Sequence, residues 1–298
     1  MGPGAMTAIP RDHAFARALG RSTEVSRHFY RVASPRVPSS AAPLRVAHLT
    51  DIHVGRMTPE GRLAGAVEAI NALEPDVVLL TGDYVAHSLR YLQRLTHHLR
   101  ALQAPAFATL GNHDHWHGAD EVARALEHAG VRLLSNTSVP FEHRGAHWRL
   151  VGVDDAVTGH HNVERAFADH RGEPCIVLSH LAELAVAAER RGAALVLSGH
   201  THGGQVKAGG VMEKVMRRMG HRYILGWYHV GATPVYVNRG IGAAVFPWRS
   251  HPATAEVAGI DLAPGQPSGR YGETVDVEEI LGVESWPPRS PMTLAEKA

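Results

Sequence analysis

Between residues 44 and 197 the chain repeats one pattern. A short apolar run ends in a polar or glycine-bearing block, and a helical stretch separates most runs from the next. The runs lie at 44–49 (LRVAHL), 76–80 (DVVLL), 106–110 (AFATL), 148–153 (WRLVGV), 175–178 (CIVL) and 194–197 (ALVL) and read as buried strands. Helical patterns occupy 61–73, 88–102, 120–129, 162–170 and 182–191. Strands alternating with helices of this length predict βαβ units and a largely parallel sheet. After residue 204 the helical period fades. Short strands at 224–230, 235–238 and 256–262 there predict a second, more antiparallel layer.

Three segments follow from this pattern: a basic N-terminal segment and linker at 1–43, a domain at 44–263, and a Pro/Gly-rich tail at 264–298. The first carries Arg11, Arg17, Arg21, Arg27, Arg31 and Arg36 against Asp12 and Glu24. Phe15, Leu19, Ser22, Ser26 and Phe29 fall at helical spacing, which predicts a weakly amphipathic helix packed on the domain. Peripheral contact with a membrane surface is the other reading of that segment. At 298 residues with 44% hydrophobic and 20% charged side chains, the chain can bury a sizeable core. A net charge of +1 gives no global field toward nucleic acid, so none is expected as a partner. No run approaches the roughly 18–20 apolar residues needed to span a bilayer. The N-terminus lacks a basic-then-apolar export pattern. With a single cysteine, Cys175, the expectation is a cytoplasmic protein, with the membrane periphery as the variant.

The polar blocks carry the chemistry, because open α/β sheets bind ligands at the carboxyl ends of their strands. Asp51-Ile52-His53 follows the first run, Gly82-Asp83 the second and Gly111-Asn112-His113-Asp114 the third. Ser179-His180 ends the fifth, and Gly199-His200-Thr201-His202-Gly203-Gly204-Gln205 the sixth. Asp-x-His and His-x-His would set two ligands on one side of an extended strand end, where side chains alternate with period two. Carboxylates, an amide oxygen and imidazoles together suit Mn, Fe or Zn. Asp51, His53, Asp83, Asn112, His180, His200 and His202 are too many for one tetrahedral ion and fit two ions sharing a carboxylate. Taken singly, Asp51, Asp83 and Asn112 could equally cap loop amides.

The ordered blocks D-x-H, G-D, G-N-H-D, H and G-H-T-H resemble the five signature motifs of the calcineurin-like metallophosphoesterases. G-H-T-H-G-G-Q, with V-N-R-G-I-G some thirty residues later, is similar to the YkuE-type bacterial branch. The resemblance spans about 44–262 and implies a four-layer αββα sandwich of two mixed sheets flanked by helices. It implies two divalent or trivalent ions, with Mn, Fe or Zn expected: one on Asp51, His53 and His202, the second on Asn112, His180 and His200, and Asp83 bridging. His113 would be the general acid, and a metal-bridging hydroxide the nucleophile. The implied activity is hydrolysis of phosphodiesters or phosphomonoesters, diesters favoured, on a small-molecule or lipid-linked substrate. A cyclic-nucleotide phosphodiesterase is the nearest rival, and a non-catalytic metal-binding scaffold the rival of another class.

Phosphoprotein phosphatases of the superfamily carry G-D-x-V-D-R-G; here Gly82-Asp83-Tyr84-Val85 continues as Ala86-His87-Ser88, which disfavours that substrate. His115 and His117 read as rim or loop residues, and Asp154-Asp155 as a turn or cap. Arg239 reads as structural and Cys175 as core.

Overall fold

A computed structural model describes residues 23–204, 211–243 and 254–266 and the two-residue strand Glu278–Glu279. Within it the strands are β1 (Ser26–Ser34), β2 (Leu44–Leu49), β3 (Val77–Thr81), β4 (Ala106–Thr109), β5 (Val131–Leu133), β6 (Thr137–His143) and β7 (Ala146–Val153), continuing with β8 (Cys175–Ser179), β9 (Ala193–Ser198), β10 (Gly226–Val230), β11 (Thr233–Val237), β12 (Glu256–Pro264) and β13 (Glu278–Glu279). The α-helices are α1 (Glu60–Ala72), α2 (Leu92–Leu99), α3 (Asn112–His117), α4 (Ala119–His128), α5 (Val163–Ala166), α6 (Ala185–Arg190) and α7 (Val211–Arg218).

Two mixed sheets result. The first runs β13-β1-β12-β2-β3-β4-β5 and the second β10-β11-β9-β8-β7-β6. Strand β3 shows why the sheets stack. Its residues are all buried, and period two sends Val77 and Leu79 to one face and Val78 and Leu80 to the other. Val78 and Leu80 join a core with Leu63, Val67 and Ile70 of α1, Leu95 of α2 and Leu126 of α4. Val77 and Leu79 meet Leu150, Ile176, Leu178 and Leu197 of the second sheet. On the outer face of that sheet, Val151, Val177 and Val196 pack against Ala166 of α5 and Ala185 and Ala188 of α6. Helices, sheet, sheet and helices are the four layers of an αββα sandwich, as the motifs implied.

The strands after residue 204 do not form a layer of their own. β11 extends the second sheet parallel to β9, with β10 antiparallel beside it, whereas β12 enters the first sheet between β1 and β2. A hydrophobic pattern marks a strand but not the sheet that receives it. The expected helix over the N-terminal segment is also overturned where that segment is described. Ser26–Ser34 is a strand, parallel to β12 from Ser26↔Glu256 to Ser34↔Pro264. Phe29 faces the helix-side core, and Tyr30 and Val32 the core between the sheets, a placement that aromatic and β-branched side chains favour in a pleated strand. The first sheet therefore includes chain before residue 44. Arg11, Phe15, Arg17, Leu19, Arg21 and Ser22 lie outside the described residues, as do Gln205 and most of the 264–298 tail. No helix among the described residues is long and apolar enough to cross a membrane.

Candidate metal centre

The parallel register of β2 and β3 continues into the loops that follow them. Asp51 N–H donates to Gly82 O at 3.0 Å, His53 N–H to Asp83 O at 2.9 Å and Val54 N–H to Tyr84 O at 2.8 Å. The blocks after β2, β3 and β4 thus stand side by side on the first sheet, and those after β8 and β9 on the second. Strand β3 lies against β8, so all five blocks meet at one end of the sandwich.

Two groups of side chains form there. In the first, Asp51 Oδ1 lies 3.4 Å from His202 Nε2 and 3.8 Å from His53 Nε2, and the two Nε2 atoms are 3.1 Å apart. In the second, His200 Nδ1 lies 3.0 Å from Asn112 Oδ1 and 3.3 Å from His180 Nε2. Asp83 Oδ2 faces both, 3.4 Å from His53 Nε2 and 3.3 Å from His180 Nε2. Every one of these side chains except half-buried His200 belongs to a buried residue.

The tautomers are set from behind. A carbonyl oxygen can only accept, so Nδ1–H of His53 donates to Val85 O at 3.2 Å and Nδ1–H of His180 to Thr81 O at 2.7 Å. Both Nε2 lone pairs are thereby directed into the site, the arrangement a metal-ligating imidazole requires. Asp51 Oδ1 is buried with no hydrogen-bond partner. An orphaned carboxylate oxygen among imidazole lone pairs is costly unless a cation joins them. The field has the same sense. Burial opposes charging of His180, yet the Asp83 carboxylate, aided by Asp51, pushes it up to about 10, and His53 is raised in the same way. The donors therefore fit metal ions.

The spacing argument named residues that the fold does bring together, but for a partly wrong reason. Asp51 (φ 49°), His53 (φ 46°), Asp83 (φ 58°), His200 (φ 72°) and His202 (φ 53°) are all in the left-handed region, not at extended strand ends. His200 and His202 consequently enter different groups. Such backbone costs roughly 1–3 kcal/mol per residue and persists where its surroundings over-determine it. Those surroundings are visible. The Asp114 carboxylate accepts N–H bonds from Gly111, Asp83, Tyr84 and Val85 at 2.9, 2.9, 2.8 and 3.2 Å, fixing the Asp83 loop. Asp51 Oδ2 accepts from Thr50 Oγ1 at 2.8 Å and from His200 N–H at 3.0 Å. The N-R-G-I-G block holds the Asp51 backbone, with Gly242 N–H donating to Asp51 O at 2.7 Å. Any Cβ at Gly242 would lie 2.2 Å from Ile52 O. Buried Arg62 of α1 in turn donates to Ile241 O at 3.0 Å. Thr50 and Arg62 went unrecognised in the sequence, and Asp114 was quoted there without a role.

His113 stands at the mouth. Its N–H donates to Asp83 Oδ1 at 2.9 Å and its Nδ1–H to Ala86 O at 2.7 Å, which leaves Nε2 for a ligand. Burial lowers its pKa against the opposing pull of Asp83, which makes its imidazolium a readier proton donor. Four of the other residues noted in the sequence make contacts of their own within the fold. His115 Nε2 bonds Asp154 Oδ1 at 2.8 Å and stacks on His160 at 3.9 Å between centroids. Asp155 accepts from the Thr158 N–H and hydroxyl. Arg239 pairs with buried Glu256 at 3.2 Å. Burial pushes the Cys175 thiol up to about 12, so it is no nucleophile at neutral pH.

Comparison with known proteins finds several similar chains. Phosphodiesterase YaeI of Escherichia coli (strain K12) is 30% identical over 210 residues, 68% of this chain and 77% of that one. The uncharacterized metallophosphoesterase YkuE of Bacillus subtilis (strain 168) is 27% identical over 83% of this chain and 88% of its own. The chain spans less of other relatives, such as 56% of the uncharacterized metallophosphoesterase Cj0846 of Campylobacter jejuni, at 29% identity over 69% of this chain. Among solved structures, a purple acid phosphatase from yellow lupin seeds aligns with a TM-score of 0.44 and 12% identity over 78% of this chain and 56% of that one. The profile of the calcineurin-like phosphoesterases matches residues 44–204, which hold all seven candidate ligands and His113, and the chain belongs to that family of metal-dependent phosphoester hydrolases.

Proposed function

We propose that the chain is a dinuclear phosphodiesterase acting on a small or lipid-linked phosphoester. Asp51, His53 and His202 hold one ion, Asn112, His180 and His200 the second, and Asp83 both. The observation that carries this reading is the position of Asp83 Oδ2, within 3.4 Å of an Nε2 from each group. A bound pair of ions supplies Lewis acidity, activating water and neutralising the charge that builds on the phosphoryl oxygens. The chain's own residues do the rest. Water adds to phosphorus and gives up a proton to solvent as the bond to the leaving oxygen breaks, and His113, as the imidazolium, gives that oxygen the proton on Nε2. The Ala86 carbonyl keeps the His113 ring turned to do so. A diester preference is supported by the name of the relative YaeI.

The test is hydrolysis of para-nitrophenyl phosphate and its bis ester by chelator-stripped protein reloaded with Mn, Fe, Zn, Mg or Ni. Metal-restored turnover favouring the diester is expected. Faster monoester turnover would reverse the preference. No turnover with any metal, despite two bound ions per chain, would replace the enzyme with a binding scaffold.

A further inference from the structure

A third set of imidazoles extends outward from His113. His87 ends the loop that follows β3, while His113 and His117 stand four residues apart on α3 and so share one face of it. The ring centroids form a nearly regular triangle: 5.7 Å for His87–His113, 5.9 Å for His87–His117 and 6.0 Å for His113–His117. One ring nitrogen from each lies within 4.8 Å of the other two. Three nitrogens bound to tetrahedral zinc at about 2.0–2.1 Å lie about 3.4 Å apart, so small side-chain rotations suffice to close the set. His87 is exposed, and His113 and His117 are half-buried, which leaves a path for an ion from solvent.

We propose that His87, His113 and His117 form a third metal site, of the zinc type, whose occupation switches the enzyme off. The donor set is all imidazole, which selects Zn, Co, Ni or Cu over Mg and Ca. It lacks the carboxylates of the two inner groups, so it fills last. Inhibition follows from one atom. His113 Nδ1 is committed to the Ala86 carbonyl, so an ion can take only Nε2, the nitrogen that would protonate the leaving group. This inhibitory consequence rests on the acid role proposed for His113; the binding does not.

The holoprotein with two ions in place is titrated with Zn(II) alone, and binding is read by calorimetry and by metal content. His87→Asn and His117→Asn serve as separate variants, each with a thermal melt to verify folding. A third equivalent is expected in the parent, weakened about tenfold or more in each variant. Turnover of a phosphodiester with a poor, alkyl leaving group should fall as that equivalent binds, with bis-para-nitrophenyl phosphate affected far less, and the variants should need correspondingly more zinc. Two equivalents only, or a third that both folded variants retain unchanged, would overturn the site. A third equivalent abolished by the variants but harmless to parental turnover would overturn the switch and the acid role of His113 while leaving the site in place. Protein inert with every metal would refute the phosphodiesterase reading, and the binding comparison would still decide the site.

Discussion

Gly199→Ala should disturb the metal centre without replacing any candidate ligand. A Cβ there would lie 2.1 Å from Asp51 Oδ2, 2.2 Å from Thr50 Oγ1 and 2.7 Å from Thr50 Cγ2, against an ordinary contact of 3.4 Å or more. Asp51 would have to retreat by about 1.3 Å, and little around it can yield. Its N–H is bonded to Gly82 O, and Gly199 N–H is bonded to His180 O at 3.1 Å. Overpacking of this kind costs about 1–3 kcal/mol. Pulling Asp51 Oδ2 from the Thr50 hydroxyl and the His200 N–H adds about 1 kcal/mol for each bond. A loss of roughly 3–5 kcal/mol lowers Tm by about 6–20 °C in a domain of this size. Metal–ligand distances tolerate only about 0.2 Å, so affinity should fall by about tenfold to a hundredfold or more. The assay pairs thermal melts with competition against a chelator of known affinity. Parental metal affinity together with a Tm shift under about 1 °C would refute the reasoning, because Asp51 would then have moved freely or would not bind metal.

Asp83→Ala should lose more metal than alanine at any other candidate ligand, since it loosens both groups; metal content equal to the parent's would sink the bridging assignment. His113→Ala should keep its metal yet slow esters of poor leaving groups by about a hundredfold to ten-thousandfold, with nitrophenyl esters affected far less. Uniform loss across leaving groups would remove its acid role. The His115–Asp154 pair predicts a pH dependence of stability. Burial lowers the His115 pKa, but its hydrogen bond with Asp154 outweighs that and holds it above 6.5, so this stabilisation is complete below 6.5 and lost as pH rises through the folded-state value. Asp154→Asn should therefore flatten the decline in Tm between pH 6 and 9, and an unchanged slope would show that the pair does not titrate in that window.

Strands β3, β8 and β9 were legible because each is a continuous apolar run with both faces covered, and such runs announce themselves locally. Strand β1 was not, because its partner β12 lies more than two hundred residues away and its alternation of Arg, aromatic and Val also suits a helix over a short window. β5 is three residues long, and β6 alternates buried with exposed positions around Pro140, so neither makes an apolar run. α3 escaped notice for a different reason. Its six residues, NHDHWH, are chosen for chemistry rather than for an apolar face, and it is positioned by Asp114 closing back on Gly111.

The candidate ligands were legible as a set because metal chemistry restricts residue types and the fold delivers them at strand ends, two constraints that act on sequence directly. Their backbone geometry was not. Whether Asp-x-His lies along a strand or through a left-handed turn depends on what grips the loop, and here the grips are remote: Gly242 and Arg62 on the Asp51 segment, Asp114 on the Asp83 segment. The conformation that separates His200 from His202 is held the same way, by the His200 N–H on Asp51 across the two sheets. A ligand's identity is set by its own side chain, but its direction is set by partners 30 to 190 residues distant, which no local spacing rule reports. The same division explains why His87 and His117 went unremarked as a pair. They become neighbours only once α3 is folded and the loop after β3 is tied down by Asp114 and the Ala86 carbonyl.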